Sequence, residues 1–273
     1  MTAEVAAPRH RTLVEGLPLA LAVVLVLTAI AYPLSSGPVR DAVSWAIVVL
    51  GGALSVVHAG LARGARTGVG VLLLVAVVAV GFEALGLATG YPYGRYSYSD
   101  ALGPTLLGVP FLVPLAWLMM AWPSWLLAER LTGRTSPTRR RILRVAVAAA
   151  VFAGWDVVLD PQMVQAGYWT WAEPAPGLPG IDTVPLTNLL GWLLAGAVVM
   201  ALLDLLVSRT SVTGSPRVGG AAPLLVLAWM TLGGALAHAG WLGLPGSAAW
   251  GVALAVPVLG ALVVQRRRAG APP

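Results

Sequence analysis

Apolar residues in this chain come in long blocks rather than in stripes. Eight blocks lie at roughly 17–34, 42–62, 68–89, 105–127, 142–162, 186–207, 221–242 and 246–264. Each has few charges, and each reaches or exceeds the length of about 18 residues at which an α-helix can cross a bilayer. The pattern predicts an all-α, polytopic transmembrane bundle of about eight spans. No internal repeat and no linker interrupts it, so residues 1–273 are expected to form a single integral membrane domain. The first block could pass for a secretory signal. Its apolar core is long and no small-residue cleavage site follows, so it is expected to stay as an anchor.

The polar residues between the blocks give the orientation. With the N-terminus inside, the inner segments hold fifteen arginines, including the run Arg139, Arg140, Arg141 and Arg144. The outer loops hold only Arg40 and Arg95. That bias predicts cytoplasmic termini and a multi-pass protein of the cell membrane. It also explains the net charge of +6 as topology, with no nucleic-acid partner implied. Only 10% of residues are charged, against about 25% in a soluble domain. There is no cysteine and no lysine, which excludes thiolate chemistry, Cys-ligated metals and a lysine Schiff base.

The two long outer loops differ in kind from the inner ones. They read "TGYPYGRYSYSDALGP" at 89–104 and "QAGYWTWAEPAPGLPGIDTVP" at 165–185. Tyr91, Tyr93, Tyr96 and Tyr98 fall within eight residues, dense for an interfacial aromatic belt and suited to roofing a cavity. Beneath these loops the blocks carry carboxylates. Glu83 lies in the outer third of the third span, and Asp156 and Asp160 lie near the outer end of the fifth. An ionisable group at membrane depth costs at least about 2.5 kcal/mol and usually faces the protein interior. Asp156 and Asp160 are four residues apart, so on a helix they share a face. Two like charges this close resist ionising together. A protonated acid beside an ionised one suits general acid and base work, while a structural clasp to Arg95 or to indole groups is the competing reading.

Other polar positions carry less. Asp204, near the inner end of the sixth span, reads as a paired interfacial acid close to Arg209. Asn188 opens the sixth span as an end anchor or a site amide. His58 and His238 read as packed, hydrogen-bonded residues, and no histidine spacing supports a metal site. Pro110, Pro114 and Pro123 are expected to kink the fourth span, and Pro161 to end or bend the fifth. Gly233 and Gly234 are expected to allow close helix packing.

Three segments resemble a known family. "FEALGLATGYPYGRYSYSDALGPTLLGVPFLVPLAWLMM" (82–120), "GWDVVLDPQMVQAGYWTW" (154–171) and "GIDTVPLTNLLGW" (180–192) are similar to signatures of the membrane-integral carotenoid hydratases. The resemblance covers roughly 80–210. The third segment departs from the family pattern, with Pro179 where a tyrosine commonly stands. The resemblance implies cofactor-free addition of water across the terminal isopropylidene double bond of an acyclic carotenoid end group, giving a tertiary alcohol at C-1. It implies a lipophilic carotenoid substrate, a bilayer environment and other carotenoid-pathway enzymes as partners. On that reading Asp156 is the general acid, with Asp160 or Glu83 as base. Tyr91, Tyr93, Trp155, Trp169, Trp171 and Asn188 are the expected substrate-binding residues. Two other readings stand beside it. "DVVLD" (156–160) fits the DxxxD form of a prenyltransferase acid motif that holds Mg²⁺ and diphosphate, and kinked helices with buried acids also suit a carotenoid-binding or transport protein.

Overall fold

The computed structural model describes residues 8–133, 137–210 and 218–270, with side chains described from Val14 to Val264 within those ranges. Arg134 and Arg217 lie outside the described residues, as do the side chains of Arg9, Arg11, Arg266, Arg267 and Arg268.

Eight helices among the described residues are long and apolar enough to cross a membrane. They are α1 (Pro8–Ala31), α2 (Gly37–Arg63), α3 (Ala65–Thr89), α4 (Leu112–Leu131), α5 (Pro137–Gln165), α6 (Leu186–Ser208), α7 (Ala221–Leu242) and α8 (Pro245–Gly270). The all-α membrane bundle read from the sequence is the observed architecture. Large apolar side chains such as Leu27, Leu73, Val77 and Val256 cover its outside. Such a surface is stable against lipid rather than water.

α4 is the central helix. It packs on α2, α3, α5, α6, α7 and α8, and its face-independent burial matches its run of Trp, Met and Leu. It begins at Leu112, later than expected. Residues 105–110 instead form a small hairpin of β2 (Thr105–Leu106) and β3 (Val109–Pro110), so Pro110 lies in a strand and kinks no helix. Proline has no N–H to give and tolerates the end of a short edge strand.

Of the prolines inside helices, Pro123 and Pro161 are each repaired by a serine on a neighbouring helix. Pro123 cannot donate to the carbonyl of Met119 one turn back, and Ser55 Oγ donates to that oxygen at 3.4 Å. Pro161 leaves the carbonyl of Val157 without its donor, and Ser247 Oγ donates there at 3.3 Å. Ser247 is in turn held by His238 Nδ1 at 2.8 Å, whose Nε2 meets Gln162 Oε1 at 3.0 Å. Within a bilayer no water is at hand to satisfy such carbonyls. With that carbonyl satisfied, α5 runs past Pro161 to Gln165, so of the two expected outcomes, an end or a bend, the proline does not end the helix. The repair also gives His238 its packing role.

The end of the bundle near residues 63–66 and 129–144 is tied by charge. Asp204 on α6 is fully buried and bonds Arg144, accepts Trp125 Nε1 at 3.1 Å and lies 3.3 Å from Arg141. Its partners are these α5 arginines rather than the expected Arg209. Arg63 reaches Glu129 at 2.7 Å, and both Arg63 and Arg144 lie over the Trp125 ring. Replacing Ser247 or Ser55 with alanine should lower unfolding free energy by about 1–3 kcal/mol each, the cost of an unsatisfied buried carbonyl. Thermal unfolding in detergent measures it, and an unchanged midpoint would remove the repair role.

Candidate active site

The two aromatic loops meet at the opposite end of the bundle. β1 (Tyr96–Tyr98) pairs antiparallel with β4 (Trp169–Trp171), in the register Tyr96↔Trp171, Ser97↔Thr170, Tyr98↔Trp169. Strand side chains alternate. Ser97 and Thr170 therefore face out, while Tyr96, Tyr98, Trp169 and Trp171 turn inward over a cavity. The rings of Tyr96 and Trp171 are 5.9 Å apart and those of Tyr98 and Trp169 5.7 Å.

The cavity below this ribbon has a volume of about 350 Å³. Its floor is aromatic, with Trp192 in contact with both Trp117 and Trp155; Trp117 and Trp192 are 4.8 Å apart. Its polar residues are few, chiefly Glu83, Asp160, Asn188 and Gln162 together with the tyrosine hydroxyls. At its far side it reaches Ile30 and Leu34 at the end of α1 and Leu236 and Trp241 on α7, all exposed. That seam opens toward the lipid-facing surface. α7 departs from regular α-helix there, with wide turns at Trp229–Gly233 and His238–Leu242. Gly233 and Gly234, expected to serve packing alone, also line the cavity wall.

The ribbon holds the carboxyl groups from above. Tyr96 and Tyr98 both donate to Glu83 Oε2, at 2.5 and 2.7 Å. Burial and the neighbouring Glu83 carboxylate push both phenols well above the ordinary tyrosine range, so they stay protonated donors. Trp169 Nε1 donates to Asp160 Oδ1 at 3.1 Å. One nitrogen, Asn188 Nδ2, donates to Oδ2 of both Asp156 and Asp160, at 2.9 and 2.5 Å. Asn188 lies in the first turn of α6 and makes no capping bond there; its amide is turned to the two aspartates instead. Glu83, Asp156 and Asp160 are 4%, 1% and 3% exposed. None of them forms an ion pair among the described residues, and Arg95, the cation named for a clasp, is exposed.

Most of the expected site residues converge. Tyr93, Trp155, Trp169, Trp171, Asn188, Glu83 and Asp160 line the cavity. Asp156 does not; it lines a smaller cavity on the other side of Asp160 and Asn188. Tyr91 is 61% exposed and lines neither. It follows the end of α3 in the turn before the ribbon, where its ring has nothing to cover.

Residues 43–258, most of the chain, match a family described as "Carotenoid biosynthesis protein". The chain belongs to the carotenoid biosynthesis protein family. A protein of Haloarcula japonica named bisanhydrobacterioruberin hydratase is 36% identical over 135 residues, 49% of this chain and 43% of that protein. The chain thus matches less than half the length of that relative. No solved structure matches it. With eight apolar helices, this family member is a multi-pass membrane protein.

Sequence reasoning missed several lining residues of this family member. Tyr96 and Tyr98 were visible as part of the tyrosine cluster, and their two-residue spacing was the strand signal that sets both on one face. Trp117 and Trp192 lie within apolar blocks, where nothing in the sequence marks them off. Gly86 and Gly191 make room for the roof. A Cβ on Gly86 would fall 2.8 Å from the Tyr96 hydroxyl, and one on Gly191 would fall 2.5 Å from the Tyr93 ring. Gly86→Ala should therefore destabilise by about 1–3 kcal/mol through overpacking. Gly81→Ala, with nothing within 4 Å, should not. Equal melting temperatures for the two variants would contradict the close packing of Tyr96 on α3.

Proposed function

We propose that this protein is a carotenoid hydratase. It adds water across the terminal isopropylidene double bond of an acyclic carotenoid end group and leaves a tertiary alcohol at C-1. The observation that carries the reading is the aromatic cavity, open at a lipid-facing seam, with buried carboxyl groups that no arginine among the described residues neutralises. The family and the named relative support the same chemistry.

A polyene dissolved in the bilayer enters end first between α1 and α7. The cavity holds one end group, and the rod beyond it stays in lipid. Asp160, the aspartate that lines the cavity, gives its proton to C-2, in place of the Asp156 expected from sequence. Positive charge then develops at C-1. Tyr93, Trp155, Trp171 and the neighbouring indoles present ring faces to it, each worth up to about 2 kcal/mol in a dry site. Glu83, fixed by two phenols, supplies negative charge at a distance set by the ribbon. Water oxygen bonds to C-1, and the proton it sheds returns to the aspartate pair. No electrons change hands, so the reaction needs no redox cofactor. The arginine-rich end faces the cytoplasm, in the cell membrane. The prenyltransferase reading lacks a cation to receive a diphosphate, since no arginine lines the cavity among the described residues.

The test is expression in a host that accumulates an acyclic or half-cyclic carotene. A new, more polar pigment heavier by one water is expected, and Asp160→Asn should abolish it with the protein still in the membrane. An unchanged pigment profile across acyclic carotenes would overturn the hydratase reading, and retained conversion by Asp160→Asn would remove Asp160 as donor.

A further inference from the structure

Asp160 and Asn188 form a partition. They line the large cavity on one side and, on the other, a second cavity of about 20 Å³. The second cavity is bounded by Asp156 on α5 and by Leu178, Ile181 and Val184 of the loop before α6. A volume of about 10–15 Å³ on this measure suffices for one water, given polar partners. Three such partners are present: Asp156, Asp160 and Asn188.

One polar atom there has an unmet need. Asp156 is buried, its Oδ2 is taken by Asn188, and its Oδ1 has no hydrogen-bond partner among the described residues. An unsatisfied buried oxygen is costly, and Asp156 borders this cavity alone. The loop is thin at this point. Ile181 and Val184 are buried, and Asp182 and Thr183 between them are exposed. The loop residues that bound the cavity thus alternate with residues that face solvent. The loop is closed by Leu186 N–H on the Pro176 carbonyl at 2.7 Å and Ile181 N–H on the Leu178 carbonyl at 2.8 Å.

We infer that the small cavity is a water site held by Asp156, and that the water consumed by the reaction enters there, from the loop side, opposite the carotenoid. The route rests on the hydratase reading; the water site itself does not. The arrangement solves a physical problem. The substrate cavity opens to lipid, which supplies no water. The aspartate pair with Asn188 stands between a dry compartment and a wet one. Water held on Asp156 passes the Asn188 edge to reach C-1, forms the C–O bond and leaves its proton on the pair, which had given one to C-2. Asp156 is then a positioning residue for water rather than the proton donor.

The experiment has two parts. An experimental structure at a resolution that shows ordered water should carry one water within hydrogen-bond distance of Asp156 Oδ1. A dry cavity would overturn the inference, even in a protein that hydrates carotenes. Val184→Phe, which fills the cavity from the loop, should lower kcat by about tenfold or more, the scale of a misplaced reactant, with KM for the carotene unchanged. A general loss of structure would raise KM and lower the melting temperature as well. Val184→Phe turning over at the wild-type rate would overturn the route. A bound water at Asp156 in a protein that makes no hydrated pigment would sink the hydratase reading and leave the water site standing.

Discussion

Among the described residues, arginine holds one buried acid of this protein and leaves three others alone. Asp204 is compensated by Arg144 and Arg141 and by an indole. Glu83, Asp156 and Asp160 are as deeply buried and receive only neutral donors: two phenols, one indole and one amide. Neutral donors offset part of the loss of hydration and provide no counter-charge, so an ionised carboxylate there costs several kcal/mol. Much of the aromatic end of the bundle is arranged around that cost. The ribbon of β1 and β4 exists to bring donors down onto the acids, and Gly86 and Gly191 exist as gaps so that the tyrosines fit.

The same constraint fixes the helix beneath. Asp156 and Asp160 share a face of α5, and the helix stays regular beyond them through Pro161. It stays helical because Ser247 supplies the bond that the proline cannot. His238, one step further out, orients Ser247 and reaches Gln162 at the cavity wall. A histidine and a serine that could be mistaken for catalytic groups thus have a backbone to mend. Pro123 and Ser55 repeat the device in α4, the helix that carries Trp117 into the cavity floor.

The eight-helix membrane architecture was legible from block length, because the length of a span follows from the bilayer as solvent. Glu83, Asp156 and Asp160 were legible as candidates because a carboxylate in an apolar block is anomalous by itself. What sequence did not yield depends on contacts between distant segments. The pairing of 96–98 with 169–171 could not be read from either loop alone. Nor could the split between Asp160 and Asp156, since helical spacing puts both on one face and only the wall formed by Asn188 separates their surroundings. Tyr91 failed for the converse reason: it belongs to the right cluster but precedes the strand that turns its neighbours inward. The start of α4 was misjudged because a two-residue hairpin of Leu, Val and Pro has the composition of a span.

The central claim is that the uncompensated acids are kept for chemistry at the expense of stability, and that Asp204 is kept for stability. Thermal unfolding of Asp160→Asn against Asp204→Asn, in the same detergent, tests it most directly. The account predicts that Asp160→Asn melts at or near the wild-type temperature, because the carboxyl it replaces is in no ion pair among the described residues, so none is lost. Asp204→Asn should melt well below it, because two arginines lose their counter-charge. A Asp160 variant that melts as low as the Asp204 variant would contradict the account and make the aspartate pair a structural clasp.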